Sequence, residues 1–438
     1  MPRQNLLVLV AVAISSVVCY RQADSAHRSE RGRMFDTFSE VLKEVDEHYL
    51  RKVEDRQLFE GALQGMMGKL DPYSAYIPPD QYADLLAALE QKIGGIGIEI
   101  VADPETGNLS VVTPIADSPA YVRGIRAGDL ILKIDGDSTK GWTTKKAVDR
   151  VRGRNGAVKL AVLHKGETEP VELTIERAMI PIHSVLGDVR DADNHWNFLL
   201  PGHEGIGYVR ITTFGENTAE ELKTALAWLT ERNVRGLILD LRGNRGGSLD
   251  QAVAVCDLFV TAGRIVTTRG RGDIESESWD ATGKAPYGTL PVVVLVNQHT
   301  ASAAEIVAAC LQDHHRAIIV GQRTWGKGTV QNVIQLEGGQ SALKLTTASY
   351  RRPSGQDIHR YQDAKDQESW GVQPDADYEV KLTDAETAEL DKRRQERDVV
   401  GAERGDPATD SASTVKSSSP PDPQLERALE ALATVAPG

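Results

Sequence analysis

The sequence predicts a multidomain α+β protein with three folded regions. At 438 residues the chain has room for two or three domains. After an apolar leader come apolar residues at helical spacing. Residues 94–177 then show short strand-like runs between glycine turns, and beyond them strands alternate with amphipathic helices. We therefore expect a helical region, a small partly open β-barrel with two helices, and a layered α/β core whose chemistry lies at the turns.

Composition excludes several classes of function. The chain is 40% hydrophobic and 26% charged, which is ordinary for a soluble globular protein. Its net charge of −13 argues against nucleic-acid binding, which needs a basic face. No cysteine or histidine spacing is typical of a zinc site, and we predict neither a metal nor a cofactor. Cys256 and Cys310 are expected to be buried free thiols, with a disulfide between them as the alternative.

The N-terminus carries the one membrane signal. Arg3 precedes the apolar run Leu6–Cys19, which is too short for a comfortable membrane span and is typical of a secretory signal. The following residues make a poor cleavage site, so an uncleaved membrane anchor stays open. We assign residues 1–26 to this signal or anchor. We expect export to the periplasm or another extracytoplasmic compartment, with a membrane tether as an option.

Residues 31–92 are predicted to form a helical region. One apolar stripe runs from Met34 to Tyr49 and a second from Leu58 to Met67. The run LDPYSAYIPP breaks this pattern, and Asp80 is placed to cap a third short helix. Such a region is too thin for a core of its own, so we expect it to pack on another surface or to dimerise.

Residues 93–178 are predicted to form the small barrel. KIGGIGIEIVAD alternates apolar residues after a glycine pair, and four more strand-like runs follow between Gly-Asp, Asp-Gly and Lys-Gly turns. Successive backbone amides in a glycine-rich turn can form a nest for a terminal carboxylate, and a free strand edge accepts an extended peptide. The alternative is an ordinary hairpin. The candidate substrate-binding residues are Gly95, Ile96, Gly97 and Ile98.

Residues 179–382 are predicted to form the α/β core, and one stretch within it organises the rest. Leu290–His314 reads as a buried strand, a polar turn and a helix, with Ser302 at the start of the helix. The backbone amides of that helix start would point at whatever the serine hydroxyl attacks. An earlier strand ends in DLRGNRGGS, whose Ser248 is a rival nucleophile that we expect to have a structural role.

A serine nucleophile needs a base. His299 lies on the same turn as Ser302, while His314 lies at the far end of the helix, about 18 Å away at 1.5 Å per residue. Neither has an obvious acidic partner. Lys327 stands between two glycines in GQRTWGKGTVQ, and it could serve only if burial removed the proton that a solvated lysine carries. Gln331 would reach Lys327 only if the backbone bends near Gly328.

Together these motifs resemble one known family. TASAAE around Ser302, GQRTWGKGTVQ around Lys327, DLRGNRGG and GGIGIEI look like the carboxyl-terminal processing, or tail-specific, serine proteases that contain a PDZ domain. The resemblance covers about Arg33 to Asp375. It implies a PDZ-like barrel and a core similar to the Clp protease and crotonase fold.

The resemblance also implies roles for individual residues. Substrates would be proteins or peptides with accessible C-termini, whose carboxylate sits on Gly95–Ile98. A gating PDZ domain and a homo-oligomer are further options that the family suggests. The implied roles are nucleophile for Ser302, general base for Lys327, its orienting partner for Gln331, and oxyanion donors for Ala303 and either Gly246 or Gly247.

Two alternatives and one segment complete the prediction. The chain could be a catalytically inactive PDZ peptide-binding scaffold. It could also be a crotonase-like acyl-CoA enzyme, which would not need the PDZ-like insert.

Residues 383–438 are predicted to be a tail outside the core. Its first part, the charged segment Lys381–Arg404, has helical propensity, and the following GDPATDSASTVKSSSPPDP is rich in Ser, Pro and Asp and should be disordered. A last short helix at Gln424–Val435 is an option, and we expect no chemistry there.

Overall fold

Two units divide the chain between Pro78 and Pro79. The computed structural model describes residues 30–89, 92–103, 107–191, 194–361, 364–365, 368–400 and 422–435. The predicted signal at residues 1–26 and residues 405–421 of the Ser/Pro/Asp-rich segment lie outside these ranges. No helix within them is both long and apolar enough to cross a membrane.

The first unit is helical, as predicted. Its first helix buries none of its side chains. The turn after the second helix is held by Asp71, whose carboxylate accepts hydrogen bonds from the amides of Tyr73 and Ser74 at 2.7 and 2.8 Å. The LDPYS motif is therefore a side-chain-capped turn. The elements are α1 (Glu30–His48), α2 (Asp55–Met67) and β1 (Ala75–Ile77).

The second unit opens with a helix and the predicted barrel. A six-stranded sheet runs in the order β3-β4-β5-β7-β8, with β6 paired to β5, and β2 pairs antiparallel with β9. Two short helices complete the barrel, each with a side-chain oxygen capping its first turn. The elements are α3 (Pro79–Leu89), β2 (Lys92–Gly95), β3 (Ile98–Ala102), β4 (Leu109–Pro114), α4 (Pro119–Val122), β5 (Leu130–Ile134), β6 (Asp137–Ser138), α5 (Thr144–Val151), β7 (Ala157–Leu163), β8 (Val171–Glu176) and β9 (Ala178–Pro181).

The core is built on a sheet in the order β10-β13-β14-β17-β18. All neighbours from β13 onward are parallel, and β14 and β17 are buried along their whole length. Continuous apolar strands are expected where both faces of a parallel sheet are covered. The elements are β10 (Val185–Leu186), β11 (Val189–Arg190), β12 (Trp196–Asn197), β13 (Ile206–Ile211), α6 (Thr218–Glu231), β14 (Gly236–Asp240), α7 (Leu249–Asp257), β17 (Val292–Val296), α8 (Ala303–Asp313) and β18 (Ala317–Gly321).

A second, antiparallel sheet adjoins this core. Its strand β15 pairs with both β16 and β20, and β20 pairs with β19. The segment between β18 and β19 carries Lys327, so this sheet brings the lysine back towards the core. The elements are β15 (Arg264–Arg269), β16 (Glu275–Asp280), β19 (Thr329–Leu336) and β20 (Ser341–Arg351).

The C-terminal segment corrects the prediction of a tail outside the core. It contains α9 (Asp384–Asp398) and α10 (Pro423–Val435), and the described part of it is folded. Helices α6, α7 and α8 cover one face of the core sheet, and α10 covers the other, where Leu432 is 2% exposed. The face of β14 and β17 under α10 is apolar, and without this helix it would be exposed to water. The fold therefore extends to Val435.

The sheet order decides where the chemistry can lie. Because β14 and β17 are parallel neighbours, with Asp240 paired to Leu295, their carboxyl ends meet at the same edge. The glycine-rich loop 241–248 follows one strand and the turn 297–302 follows the other. Loops at the carboxyl ends of adjacent parallel strands are the usual place for a site in such a sheet.

Candidate active site

Ser302 occupies a strained turn between β17 and α8. Its backbone angles are φ 58° and ψ −120°, a conformation that costs an L-residue about 1–3 kcal/mol and persists only where the surroundings impose it. The helix that follows is buried from Ala303 to Leu311, so its start cannot shift easily. Ser302 itself is only 7% exposed. A sharp strand-to-helix turn of this kind presents a nucleophile at the edge of a sheet.

The glycine-rich loop is tied to this turn by the buried residue Asn244. Its backbone carbonyl oxygen accepts the amide of Ala301 at 2.8 Å, and its side-chain Oδ1 accepts the amide of Gly246 at 2.8 Å. Its Nδ2 donates to the carbonyl of Ile211 at 2.8 Å. The loop and the serine turn therefore form one hydrogen-bonded unit.

Gly246 packs directly against the serine. A Cβ at this position would lie 2.7 Å from Ser302 Cβ and 2.9 Å from the Ala303 nitrogen. Real Cβ atoms do not approach so closely, so only glycine fits without a shift of the turn. Gly246, one of the two glycines predicted to donate to an oxyanion, is therefore needed for the close contact between the two loops.

The hydrogen bonds distinguish the two candidate glycines. The Gly246 amide is already committed to Asn244, whereas within residues 194–361, which are described without a gap, the amides of Gly247 and Ala303 have no acceptor. Gly247 itself is clamped, since a Cβ there would lie 2.1 Å from the carbonyl oxygen of Phe214. Of the predicted oxyanion donors, Ala303 and Gly247 keep a free N–H, and Gly246 does not.

Glu305 is the residue of the site that sequence reasoning missed. It is fully buried, and each of its oxygens accepts two hydrogen bonds. Oε2 accepts the amides of Ser302 and Lys327, both at 2.8 Å, while Oε1 accepts the Thr324 hydroxyl at 2.5 Å and the Gly326 amide at 2.7 Å. The amide nitrogens of Ser302 and Lys327 therefore lie no more than twice 2.8 Å apart.

The chain did carry a signal for Glu305. Ser302 and Glu305 have the S-x-x-E spacing of a helix capping box, which predicts the local hydrogen bond to the Ser302 amide. It does not predict the bonds to a loop more than 20 residues away. Burial raises the pKa of Glu305 to about 7, although the four donors oppose that rise by favouring the carboxylate.

Lys327 lies in a partly buried position suited to a neutral amine. Burial lowers its pKa from the ordinary lysine value, and the nearby cation of Lys344 lowers it further, while Glu305 acts in the opposite direction. Its neighbour Gly328 fits tightly, because a Cβ there would lie 2.2 Å from the His359 nitrogen. The loop is therefore held on both sides of the lysine.

Gln331 lies on β19, four residues beyond Lys327. The antiparallel register slips between Val330 and Gln331, so the backbone does depart from a regular strand here. The side-chain Nε2 donates to Thr329 Oγ1 at 2.8 Å and, at 3.4 Å, to Thr346 Oγ1. The predicted orienting contact with Lys327 is not among these bonds and stays a prediction.

The rival residues have other partners. Ser248 caps α7, its Oγ accepting the Gln251 amide at 3.4 Å. His314 lies at the far end of α8, where its Nε2 lies 2.7 Å from the carbonyl oxygen of Arg264. Cys256 and Cys310 are free and buried. Ser248 is therefore a helix cap, and the His314 ring is engaged at the far end of α8.

The predicted carboxylate nest lines a cavity of about 610 Å³ between the PDZ-like barrel and the segments that follow it, which contribute Leu186, Arg190 and Asp398 among others. Gly97 has a positive φ of 81°, and a Cβ there would lie 2.2 Å from the Ser118 Cβ, so this turn requires glycine. The cavity wall is largely apolar and includes Ile96, Ile98 and, from α5, Val148. Among the described residues β3 is an edge strand of the barrel sheet, and an apolar groove beside a strand edge suits an extended peptide.

Family models match most of the chain. The model of peptidase family S41 matches residues 205–378, and that of the PDZ domain matches residues 86–163. A model of the N-terminal domain of the activating protease CtpB matches residues 13–81.

Individual relatives match along nearly the whole chain. The carboxy-terminal-processing protease of Bartonella bacilliformis is 33% identical over 431 residues, covering 97% of this chain and 94% of that protein. The carboxy-terminal processing protease CtpA of Bacillus subtilis is 32% identical over 361 residues, covering 81% and 74%. Among solved structures, the photosystem II D1 C-terminal processing protease is 30% identical, covers 77% of this chain and 86% of that chain, and has a TM-score of 0.44.

Proposed function

The chain belongs to peptidase family S41, as a carboxy-terminal processing serine protease with a PDZ domain, and we propose that Ser302 and Lys327 form its catalytic dyad. The observation that carries this proposal is the shared oxygen of Glu305, which accepts the amides of both residues at 2.8 Å. A buried carboxylate that binds both backbones keeps these two residues, 25 positions apart in the sequence, close to each other.

The proposed reaction is acyl transfer through Ser302. Neutral Lys327 takes the hydroxyl proton as Ser302 Oγ attacks the scissile carbonyl carbon. The negative charge on the carbonyl oxygen is stabilised by the amides of Ala303 and Gly247, which have no other acceptor among the residues that the structure describes. The lysine then gives its proton to the leaving amine, and water hydrolyses the acyl-enzyme. Gln331 is the proposed partner that orients the amine.

Burial is what makes lysine usable as the base. An ordinary lysine, with a pKa of about 10.4, is almost entirely protonated at pH 7 and cannot accept a proton. Both burial and the Lys344 cation lower the pKa of Lys327, which increases the neutral fraction. Glu305 opposes this effect, and it titrates near neutrality itself.

The PDZ-like barrel is the proposed recognition domain for the substrate's C-terminus. An extended C-terminal segment would add to the edge of β3, with its carboxylate on the turn Gly95–Ile98 and its last side chain in the apolar cavity. The segment upstream would then cross to Ser302. We expect this to occur outside the cytoplasm, since residues 1–26 are typical of an export signal or tether.

The test is cleavage of matched peptides by matched lysine variants. One peptide carries a free C-terminus and its twin an amidated one. We expect the wild type to cleave the free peptide at least about tenfold more efficiently, because amidation removes a charge that the nest binds. Lys327→Ala should abolish cleavage of both, whereas Lys284→Ala, at an exposed position, should leave it unchanged.

Three results would contradict the proposal in different ways. An active Lys327→Ala variant would remove the lysine as base. A wild type that binds the peptides without cleaving either would favour the inactive PDZ scaffold, and equal cleavage of both peptides would remove recognition of the terminal carboxylate.

A further inference from the structure

Arg242, the residue before the first glycine of the loop, has a completely buried guanidinium group. Its side chain is 1% exposed. One set of partners is local, because Asp240 at the end of β14 accepts from Nε at 3.1 Å and from Nη2 at 2.8 Å. The other set comes from the C-terminal segment, about 180 residues later in the chain.

Asp422 and Gln424 supply that second set. The Asp422 carboxylate accepts from Nη1 at 3.0 Å and from Nη2 at 2.9 Å, which makes a bidentate pair, and Gln424 Oε1 accepts from Nη1 at 3.0 Å. Bidentate arginine–carboxylate pairs fix direction as well as distance. Gln424 is itself fully buried and donates to the carbonyl of Val380 at 2.8 Å.

The arginine is connected to the oxyanion loop by a short series of contacts. The next residue, Gly243, donates its amide to Asn297 Oδ1 at 3.0 Å, and Asn244 then binds Gly246 and Ala301. A rotation of the Arg242 side chain that moves its backbone would therefore displace the loop carrying Gly247.

We propose that Asp422, with Gln424, is a positioning residue for the oxyanion loop and acts through Arg242. The proposal rests on the proposed function, because it concerns the donors that would bind the oxyanion. The physical reason is that the donors must lie about 2.7–3.1 Å from the oxyanion, so a small shift of the loop weakens transition-state binding more than substrate binding.

The competing interpretation is that Asp422 only anchors α10. Its Oδ1 accepts the Leu425 amide at 3.1 Å in the first turn of that helix. A matched control separates the two roles. Leu432→Ala weakens the packing of α10 on the core sheet, where Leu432 lies against Gly236, but does not touch Arg242.

The experiment uses the full chain carrying Asp422→Ala, Asp422→Asn or Leu432→Ala. Each is measured for kcat, KM and unfolding temperature. Affinity is measured for a peptide aldehyde and for the corresponding peptide alcohol. The aldehyde carbon forms a bond to Ser302 Oγ as the Oγ–H bond breaks, its proton passes to neutral Lys327, and the carbonyl π electrons move to oxygen. The resulting oxyanion lies on the donors, whereas the alcohol forms no such adduct.

For Asp422→Ala we expect at least a tenfold loss of kcat and of aldehyde affinity. KM and alcohol affinity should stay within twofold. Asp422→Asn, which keeps the shape and one acceptor oxygen, should fall in between, and it serves as the folded variant if the alanine form is unstable. Leu432→Ala should lower the unfolding temperature with kcat within twofold of wild type.

The inference is overturned if the folded Asp422 variants keep wild-type kcat and aldehyde affinity, or if Leu432→Ala lowers both to the same extent. Wild-type enzyme without Ser302-dependent cleavage would instead overturn the proposed function, and this inference with it. Since the first result needs an active wild type, the two failures are distinguishable.

Discussion

The loop after β14 and the turn after β17 are alike in their place between elements but different in conformation. Both join a buried strand to a helix, and both have a serine just before that helix. Ser248 has ordinary extended angles, φ −67° and ψ 128°, and caps its helix. Ser302 has φ 58°, and its amide is bound by Glu305. A serine at a helix start is therefore a cap unless its surroundings force it into strain.

The strain at Ser302 is sustained by the other loop. Asn244 accepts the Ala301 amide, and Gly246 fills the space behind Ser302 Cβ. In the loop after β14, Ser248 therefore caps a helix, whereas the backbone of Gly246 packs against the neighbouring turn. This difference in role between the two loops predicts different effects of substitution, which are given below from the largest to the smallest.

The largest effect is expected from the two serines. Ser302→Ala removes the proposed nucleophile and should lower kcat at least about 10³-fold, with the unfolding temperature unchanged. Ser248→Ala removes a helix cap, so it should cost about 1 kcal/mol of unfolding free energy and leave kcat within about twofold. Peptide cleavage measures kcat, and denaturant unfolding measures the unfolding free energy. A Ser248→Ala enzyme as inactive as Ser302→Ala would abolish the distinction between the two loops.

The next effect separates crowding from backbone conformation in the glycine loop. Gly246→Ala places a Cβ 2.7 Å from that of Ser302, so we expect kcat to fall about 10²-fold as the turn is displaced. Gly243 also has a positive φ, 76°, but a Cβ there meets nothing within 4 Å. Gly243→Ala should therefore cost only the left-handed backbone, about 1–2 kcal/mol of unfolding free energy. Equal losses of kcat in both variants would show that crowding at Ser302 is unimportant.

The smallest effect concerns the lysine and its pH dependence. The Lys344 cation lowers the pKa of Lys327, so Lys344→Met should raise it. Because the base works only when neutral, the acid limb of kcat/KM should move to higher pH, with a severalfold loss below the limb and none well above it. Glu305, whose pKa is about 7, contributes to the same limb in both enzymes. Lys392→Met, at an exposed position, is the control. An unmoved limb would exclude Lys344 from setting the pKa of the base.

Local patterns predicted a large part of this molecule. The apolar runs of β14 and β17, the helices behind them and the glycine turns are short-range features, and each is found where it was expected. Ser302 could be recognised because strand, polar turn and helix follow each other within 25 residues. The choice between Gly246 and Gly247 could not be made, because it depends on which amide Asn244 binds.

The C-terminal segment shows why the rest escaped prediction. Its charged and Ser/Pro/Asp-rich composition indicated a tail, and composition says nothing about the apolar face of a distant strand that still needs a cover. The buried pair of Arg242 and Asp422 is likewise invisible until the fold brings together residues about 180 positions apart.

The amino-acid order alone determined the elements, the family and the candidate nucleophile and base, because periodicity and motif spacing are properties of neighbouring residues. Only the tertiary structure decided that Glu305 joins Ser302 to Lys327, that Gly247 rather than Gly246 keeps a free amide, and that Asp422 reaches Arg242. The physical reason is that burial and hydrogen-bond partners are set by which distant segments exclude water together. A single stretch of sequence does not contain that information.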